Sequence, residues 1–191
     1  MSDEKIKVWE KVGSATLLAG KFGKKMVSQI FLNPVTNEEE EFILFGQRDW
    51  SVVLPVTENE EVVAVEQYKQ GCNQIVLELP AGTADFRDEI PEEVMRRELL
   101  EETGYEPQRV VALGPPQFIA TRNSWTRFYV FLATGCRKVQ EAKLDLNEEI
   151  KVKLFSLEEW VELSLKELIE PSAVVATYRA LIHLGYWFVK K

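Results

Sequence analysis

The stretch from Pro91 to Gly104, Pro-Glu-Glu-Val-Met-Arg-Arg-Glu-Leu-Leu-Glu-Glu-Thr-Gly, is bounded by residues that leave little besides a helix between them. Proline suits the first helical position because its missing amide would be unpaired there in any case, and Glu92 and Glu93 meet the positive end of the helix dipole. A glycine just past the last periodic residue accepts the left-handed conformation of a C-terminal cap. Val94, Leu99 and Leu100 can then form an apolar face directed at a core. On the same helix Glu98, Glu101 and Glu102, spaced i, i+3 and i+4, stack on one side. Like charges at these spacings cost roughly 0.2–0.5 kcal/mol per pair unless something positive lies among them. Oxygen ligands of this kind call for a hard cation, Mg²⁺ or Mn²⁺, which binds through a few carboxylates together with the phosphates of a substrate. Arg97, beside Glu98 and four residues before Glu101, is placed to hold a carboxylate in a fixed rotamer. The plain alternative is a solvated charged face with one Arg-Glu pair, and the glycine-bearing loop just upstream counts against it.

Composition narrows the chemistry. With 191 residues and 46% hydrophobic content the chain can bury a sizeable core as one domain with a smaller appended unit. A net charge of −8 argues against nucleic acid or an anionic membrane as the main partner, since both need a basic surface. The amino-terminal stretch Met1 to Lys7 lacks a basic and apolar leader pattern, and no apolar run approaches the roughly 20 residues of a membrane span. A cytoplasmic location is the expectation. Cys72 and Cys136 form no metal-ligand spacing and are read as reduced thiols. The lone histidine, His183, lies in a helix-like stretch from Pro171 to Gly185, so a Ser-His-Asp or Cys-His arrangement or a zinc site is hard to build and a carboxylate is the expected general base.

Along the chain, strand-like runs at Ser14 to Leu18, Met26 to Leu32 and Glu41 to Phe45, separated by turn signals such as Asn33-Pro34, read as a small antiparallel β unit over residues 1–48. Over residues 49–191 the pattern mixes strands and helices. Ser51 to Thr57 and Glu61 to Tyr68 form a hairpin around Glu58-Asn59-Glu60, and Ile75 to Leu79 leads into a Pro80-Ala81-Gly82 loop. After the Pro91 helix, strands are expected at Val110 to Leu113, Phe128 to Ala133 and Ile150 to Phe155. Ser156-Leu-Glu-Glu159 is a capping box opening a helix with Trp160, Val161 and Leu165 on one face, and the last helix starts near Ser172 with Val175, Tyr178 and Leu181 on one face. This order suits an α+β sandwich with helices on either side of a mixed sheet.

Glu78-Leu-Pro-Ala-Gly82, Glu89 and Arg97-Glu-Leu-Leu-Glu-Glu-Thr-Gly-Tyr105 together resemble the Nudix box of the Nudix hydrolases, which cleave nucleoside diphosphates linked to another group. One residue more than the family pattern separates Gly82 from Glu89, so either the loop is longer by one or Asp88 stands in the glutamate's place. The resemblance implies an α/β/α sandwich, with Glu98 and Glu102 as principal metal ligands, Glu101 as an additional one and the Ala81 carbonyl as another, and Arg97 orienting the cluster. Mg²⁺ is the implied cofactor, with Mn²⁺ as its substitute. A glutamate on a late loop is implied as the group that deprotonates or positions water, and Glu148 or Glu149 lies in the matching place, Glu148 being favoured.

The β unit ahead of the box is similar to that of the ADP-ribose and nucleotide-sugar pyrophosphatases, which implies a homodimer and a small nucleotide-sugar substrate. Val65-Glu-Gln67-Tyr68-Lys69, followed by Glu78, resembles that subgroup's element ahead of the box, with Lys69 where an arginine is usual. A lysine still meets a phosphate as a point charge. Trp9, with Trp50 behind it, is the candidate for stacking on a base, against the plainer reading of a core or interface tryptophan. Arg122 is a further candidate for the phosphates. The runners-up are a triphosphate- or dinucleotide-cleaving Nudix hydrolase and a non-catalytic nucleotide sensor.

Overall fold

In a computed structural model, described here over residues 5–86, 88–144, 146 and 148–186, the chain divides into two compact units. The first comprises Met1–Arg48 with Phe118–Arg127, and the second Asp49–Gln117 with Phe128–Lys191. The segment around Ala120 to Thr126 thus belongs with the amino-terminal strands. It is tied there by backbone bonds, the Phe45 amide donating to the Asn123 carbonyl at 2.9 Å, and by the Gln47 amide donating to Thr126 Oγ1 at 2.7 Å.

The first unit is an antiparallel sheet of β1 (Glu10–Lys21), β2 (Lys24–Leu32) and β3 (Glu39–Gly46), with β2 central. The strands run longer than the sequence pattern indicates, because backbone pairing continues where side-chain alternation fades. Phe22 and Gly23, both at positive φ, close the β1–β2 turn. Asn33 Oδ1 accepts from the amides of Val35 and Thr36 to shape the β2–β3 turn.

The second unit carries β4 (Trp50–Thr57), β5 (Glu61–Lys69), β6 (Gln74–Glu78), β7 (Ala81–Thr83), α1 (Pro91–Thr103), β8 (Tyr105–Glu106), β9 (Arg109–Ala112), then β10 (Gln117–Phe118) at the passage to the first unit, β11 (Arg127–Lys138), β12 (Ile150–Ser156), α2 (Leu157–Lys166) and α3 (Pro171–His183). Its mixed sheet follows the path β11-β4-β5-β12, in which β11 and β4 are parallel and β12 and β5 antiparallel. β4 is buried on both faces. Val53 packs with Met95, Leu99, Phe131 and Ala133 under α1, whereas Val52, Leu54 and Val56 pack with Trp160, Ala173, Ala176 and Ala180 under α2 and α3. This is an α+β sandwich with helices on both sides of a mixed sheet, preceded by a small antiparallel sheet.

Three details differ from the sequence reading. Ala81–Thr83, expected to be loop, is a strand paired with β4 through Trp50↔Thr83, Ser51↔Gly82 and Val52↔Ala81; three residues are too few to show an alternation. On α1 the core face is made by Val94, Met95 and Leu99, with Leu100 only partly buried. On α2 Leu165 is exposed and Ser164 buried, and on α3 Tyr178 is exposed while Ala173, Ala176, Thr177, Ala180 and Leu181 are buried. Small residues line α3 because it lies close against β4, and apolar periodicity counted on large side chains misses such a face.

Candidate functional site

The site is built where β7 passes under α1. Ser51 Oγ donates to the Pro91 carbonyl at 2.8 Å, fixing the start of α1 over β4, and Val53 donates its amide to Pro80 at 3.1 Å, fixing the approach to β7. α1 begins with Pro91 at its first turn and ends at Gly104, whose φ is 77° and whose amide donates to Leu100. A Cβ on Gly82 would lie 1.8 Å from Glu98 Cδ. The Glu98 carboxyl therefore rests directly on the β7 backbone, in space that only a glycine leaves open.

Arg97 gathers the loop and the helix. Its guanidinium donates to Glu98 Oε1 at 2.9 Å, Glu101 Oε2 at 3.1 Å, Glu89 Oε1 at 3.4 Å and the Thr83 carbonyl at 3.2 Å, with Asp85 at 3.6 Å. Glu89 also accepts from the Asp85 amide at 2.6 Å, which closes the loop after β7. Glu89 rather than Asp88 thus meets Arg97, and the additional residue is absorbed within the loop.

Glu102 is 6% exposed and its Oε2 accepts from the Ala81 amide at 3.1 Å. Burial raises its carboxyl well above the usual range, the Ala81 amide opposes this, and the charges of Glu98 and Glu78 add to the rise. Burial likewise pushes Glu98 up to about 7 against the pull of Arg97, with Glu101 and Glu148 adding to the rise. The charge of Glu148 therefore reaches Glu98.

Glu78, 5% exposed, accepts from Lys69 Nζ and Gln67 Nε2, both at 2.5 Å on Oε1. Burial raises its carboxyl, Lys69 opposes, and Glu170 adds to the rise. Lys69 is thus held by Glu78. Glu170 was not among the sequence candidates. Its Oε2 caps α3 by accepting from the amides of Ser172 at 2.6 Å and Ala173 at 3.1 Å. The Glu-Pro-Ser pattern signals that cap; nothing local signals its approach to Glu78.

Among the described residues no three His, Cys, Asp or Glu side chains are gathered as a metal cage, because Glu98 and Glu101 turn oxygens onto Arg97 and Glu102 turns one onto Ala81. The donor set nevertheless fits a hard cation in its chemistry. It offers oxygen alone, and a buried Glu102 whose proton affinity the partly buried Glu98 raises further gives a cation something to replace.

Trp9 and Arg122, far apart in sequence, line one cavity of about 280 Å³ in the first unit together with Phe31, Phe42 and Leu44. Trp9 meets Phe42 edge to face at 5.6 Å and is 37% exposed. Trp50 instead packs on Phe128 at 5.1 Å in the second unit, as a core side chain. His183 is exposed at the end of α3, and no helix among the described residues is long and apolar enough to cross a membrane.

A glycine-floored strand, a helix with its carboxylates in pairs one turn apart, and an arginine tying loop to helix define a class. Residues 46–177 match the NUDIX domain family, and the chain belongs to the Nudix family of hydrolases. It is 30% identical over 112 residues to an ADP-ribose pyrophosphatase of Bacillus subtilis (strain 168), a match covering 58% of this chain and 60% of that protein. It is 29% identical over 128 residues to a methanol dehydrogenase activator of Bacillus methanolicus, covering 65% and 67% respectively. A solved structure of an ADP compounds hydrolase superposes with a TM-score of 0.82 at 15% identity, covering 97% of this chain and all of that one, a likeness of fold.

Proposed function

We propose that the protein is a divalent-metal-dependent pyrophosphohydrolase that cleaves ADP-ribose or a related nucleoside diphosphate sugar to a nucleoside monophosphate and a sugar phosphate. The observation that carries this reading is the pairing of the buried Glu102 with the partly buried Glu98, whose carboxyl rests on Gly82, with the charge of Glu148 reaching it. A buried carboxylate with a second, partly buried one a helical turn away is costly unless a cation is to be held between them and a phosphate. The amino-terminal β unit and the pyrophosphatase relative support the substrate class.

In this reading Glu98, Glu102, the half-exposed Glu101 and the Ala81 carbonyl hold Mg²⁺ or Mn²⁺, which when bound neutralises pyrophosphate oxygens and acidifies water. Arg97 keeps Glu98 and Glu101 in register with the loop after β7. Glu148, whose charge is felt at Glu98, takes the proton from the attacking water in preference to Glu149. Lys69, held by Glu78, offers its positive charge beside Glu102 for a phosphate. Trp9 and Arg122, lining one cavity, take the base and a neighbouring anionic group, and the β unit is the contact of a homodimer.

The test is incubation with Mg²⁺ and a panel of ADP-ribose, other nucleotide sugars, dinucleotides and triphosphates, with product analysis. AMP and ribose 5-phosphate that disappear in Glu102→Gln are expected. Preference for triphosphates would move the reading to another Nudix activity, and binding without turnover of any member would make the protein a sensor.

A further inference from the structure

The first unit contains a second and larger concavity, of about 670 Å³, at the closed end of the β1–β2 hairpin. Met26, Phe45 and Ile119 supply apolar walls, and Lys21, Lys24 and Lys25 supply the charge. That volume lies within the range of roughly 300–1,000 Å³ typical of small-molecule sites.

Two features set this place apart from ordinary surface. Lys21 and Lys24 are direct cross-strand partners, and like charges opposite one another weaken a strand pair. None of the three lysines has a carboxylate partner among the described residues, although the chain as a whole carries −8. The acids of the same sheet are at its other end. Lys25 pairs with Gly46, whereas Glu39, Glu40 and Glu41 pair with Leu32, Phe31 and Ile30. Five residues of strand from Lys25 to Ile30 are about 16 Å at roughly 3.3 Å each, beyond the screening length of about 8 Å at physiological salt. The acidic end therefore does little to neutralise the basic one.

We propose that this concavity binds a small amphiphilic organic anion, its apolar body against Met26, Phe45 and Ile119 and its phosphate or carboxylate head among Lys21, Lys24 and Lys25. The head relieves the Lys21–Lys24 repulsion, and the body covers side chains that are exposed at present: Met26 is 41% and Phe45 39% accessible. The inference is independent of the pyrophosphatase reading, since none of these residues belongs to the carboxylate site.

Isothermal titration of the full chain with decyl phosphate, decanoate and inorganic phosphate, each below any micelle concentration, tests it. Saturable one-to-one binding of both amphiphiles is expected, weakened about tenfold or more by Lys24→Ala with Lys25→Ala and by raised salt. Inorganic phosphate should bind far more weakly. A matching melting temperature for the double variant shows that it is folded. Equal binding of inorganic phosphate, or amphiphile binding that the double variant leaves unchanged, would overturn the proposal. So would absence of amphiphile binding, which together with a change in sedimentation in the double variant would make the surface an interface with a second copy.

Discussion

Replacing Glu98 by Gln should make the chelator-treated protein more stable while removing its metal response. Burial lifts the Glu98 carboxyl from an ordinary 4.5 to about 7 despite the adjacent Arg97. Below pH 4.5 the folded and unfolded chains both hold the proton and the residue contributes nothing to pH dependence. Between 4.5 and 7 the unfolded chain releases the proton and the folded one keeps it, so raising the pH favours unfolding. Above 7 the penalty is complete. At about 1.36 kcal/mol per pH unit, the rise corresponds to roughly 3 kcal/mol. Glutamine removes that penalty and leaves a carbonyl to accept from Arg97. Urea denaturation in chelator at pH 5 and pH 8 measures the difference. Part of the penalty is already present at pH 5, so the variant should gain on wild type by about 2.5 kcal/mol across that interval, which for a chain of this size is roughly 5–10 °C in melting temperature. Adding Mg²⁺ at pH 8 should stabilise wild type and leave the variant nearly unchanged. A variant whose stability relative to wild type is the same at both pH values would refute the argument that Glu98 is held in an environment unsuited to its charge.

Other consequences are equally direct. Gly82→Ala puts a Cβ 1.8 Å from Glu98 Cδ, so the carboxyl must move by on the order of 1 Å or more, and turnover should fall about 100-fold with the fold retained by circular dichroism; near-wild-type turnover would count against the site. Trp9→Ala and Arg122→Ala, which line one cavity, should each raise KM about tenfold with kcat little changed, and the double variant should lose less than the product of the two. Thr177→Val strands the fully buried Trp160 Nε1, which now donates to Thr177 Oγ1 at 2.9 Å, and should cost about 1–3 kcal/mol by urea denaturation.

How much of this was legible in the sequence depends on how local each determinant is. α1 was legible at both ends, since a proline start and a glycine C-cap act within a turn. The capping box of α2 was legible for the same reason, Ser156 and Glu159 exchanging bonds across three residues. The hairpin of β4 and β5 followed from alternation and a polar turn. By contrast β7 was hidden, because its partner β4 lies thirty residues away and supplies the pairing. The alanine face of α3 was hidden because close packing selects small side chains that carry little hydrophobic signal.

The candidate site divides in the same way. That Glu98, Glu101 and Glu102 share a helix side with Arg97 among them follows from their spacing, because helix geometry fixes neighbours at i+3 and i+4. That Glu89 and not Asp88 meets Arg97, that Glu98 rests on Gly82, and that Lys69 is held by Glu78 depends on how distant segments pack. The same packing places Trp9 and Arg122 on one cavity while Trp50 enters a core. These are contacts across strands and loops, set by sheet pairing and by which face each element buries. A helix specifies its own neighbours through backbone hydrogen bonds a few residues apart; a buried carboxylate acquires its environment only when distant segments close over it.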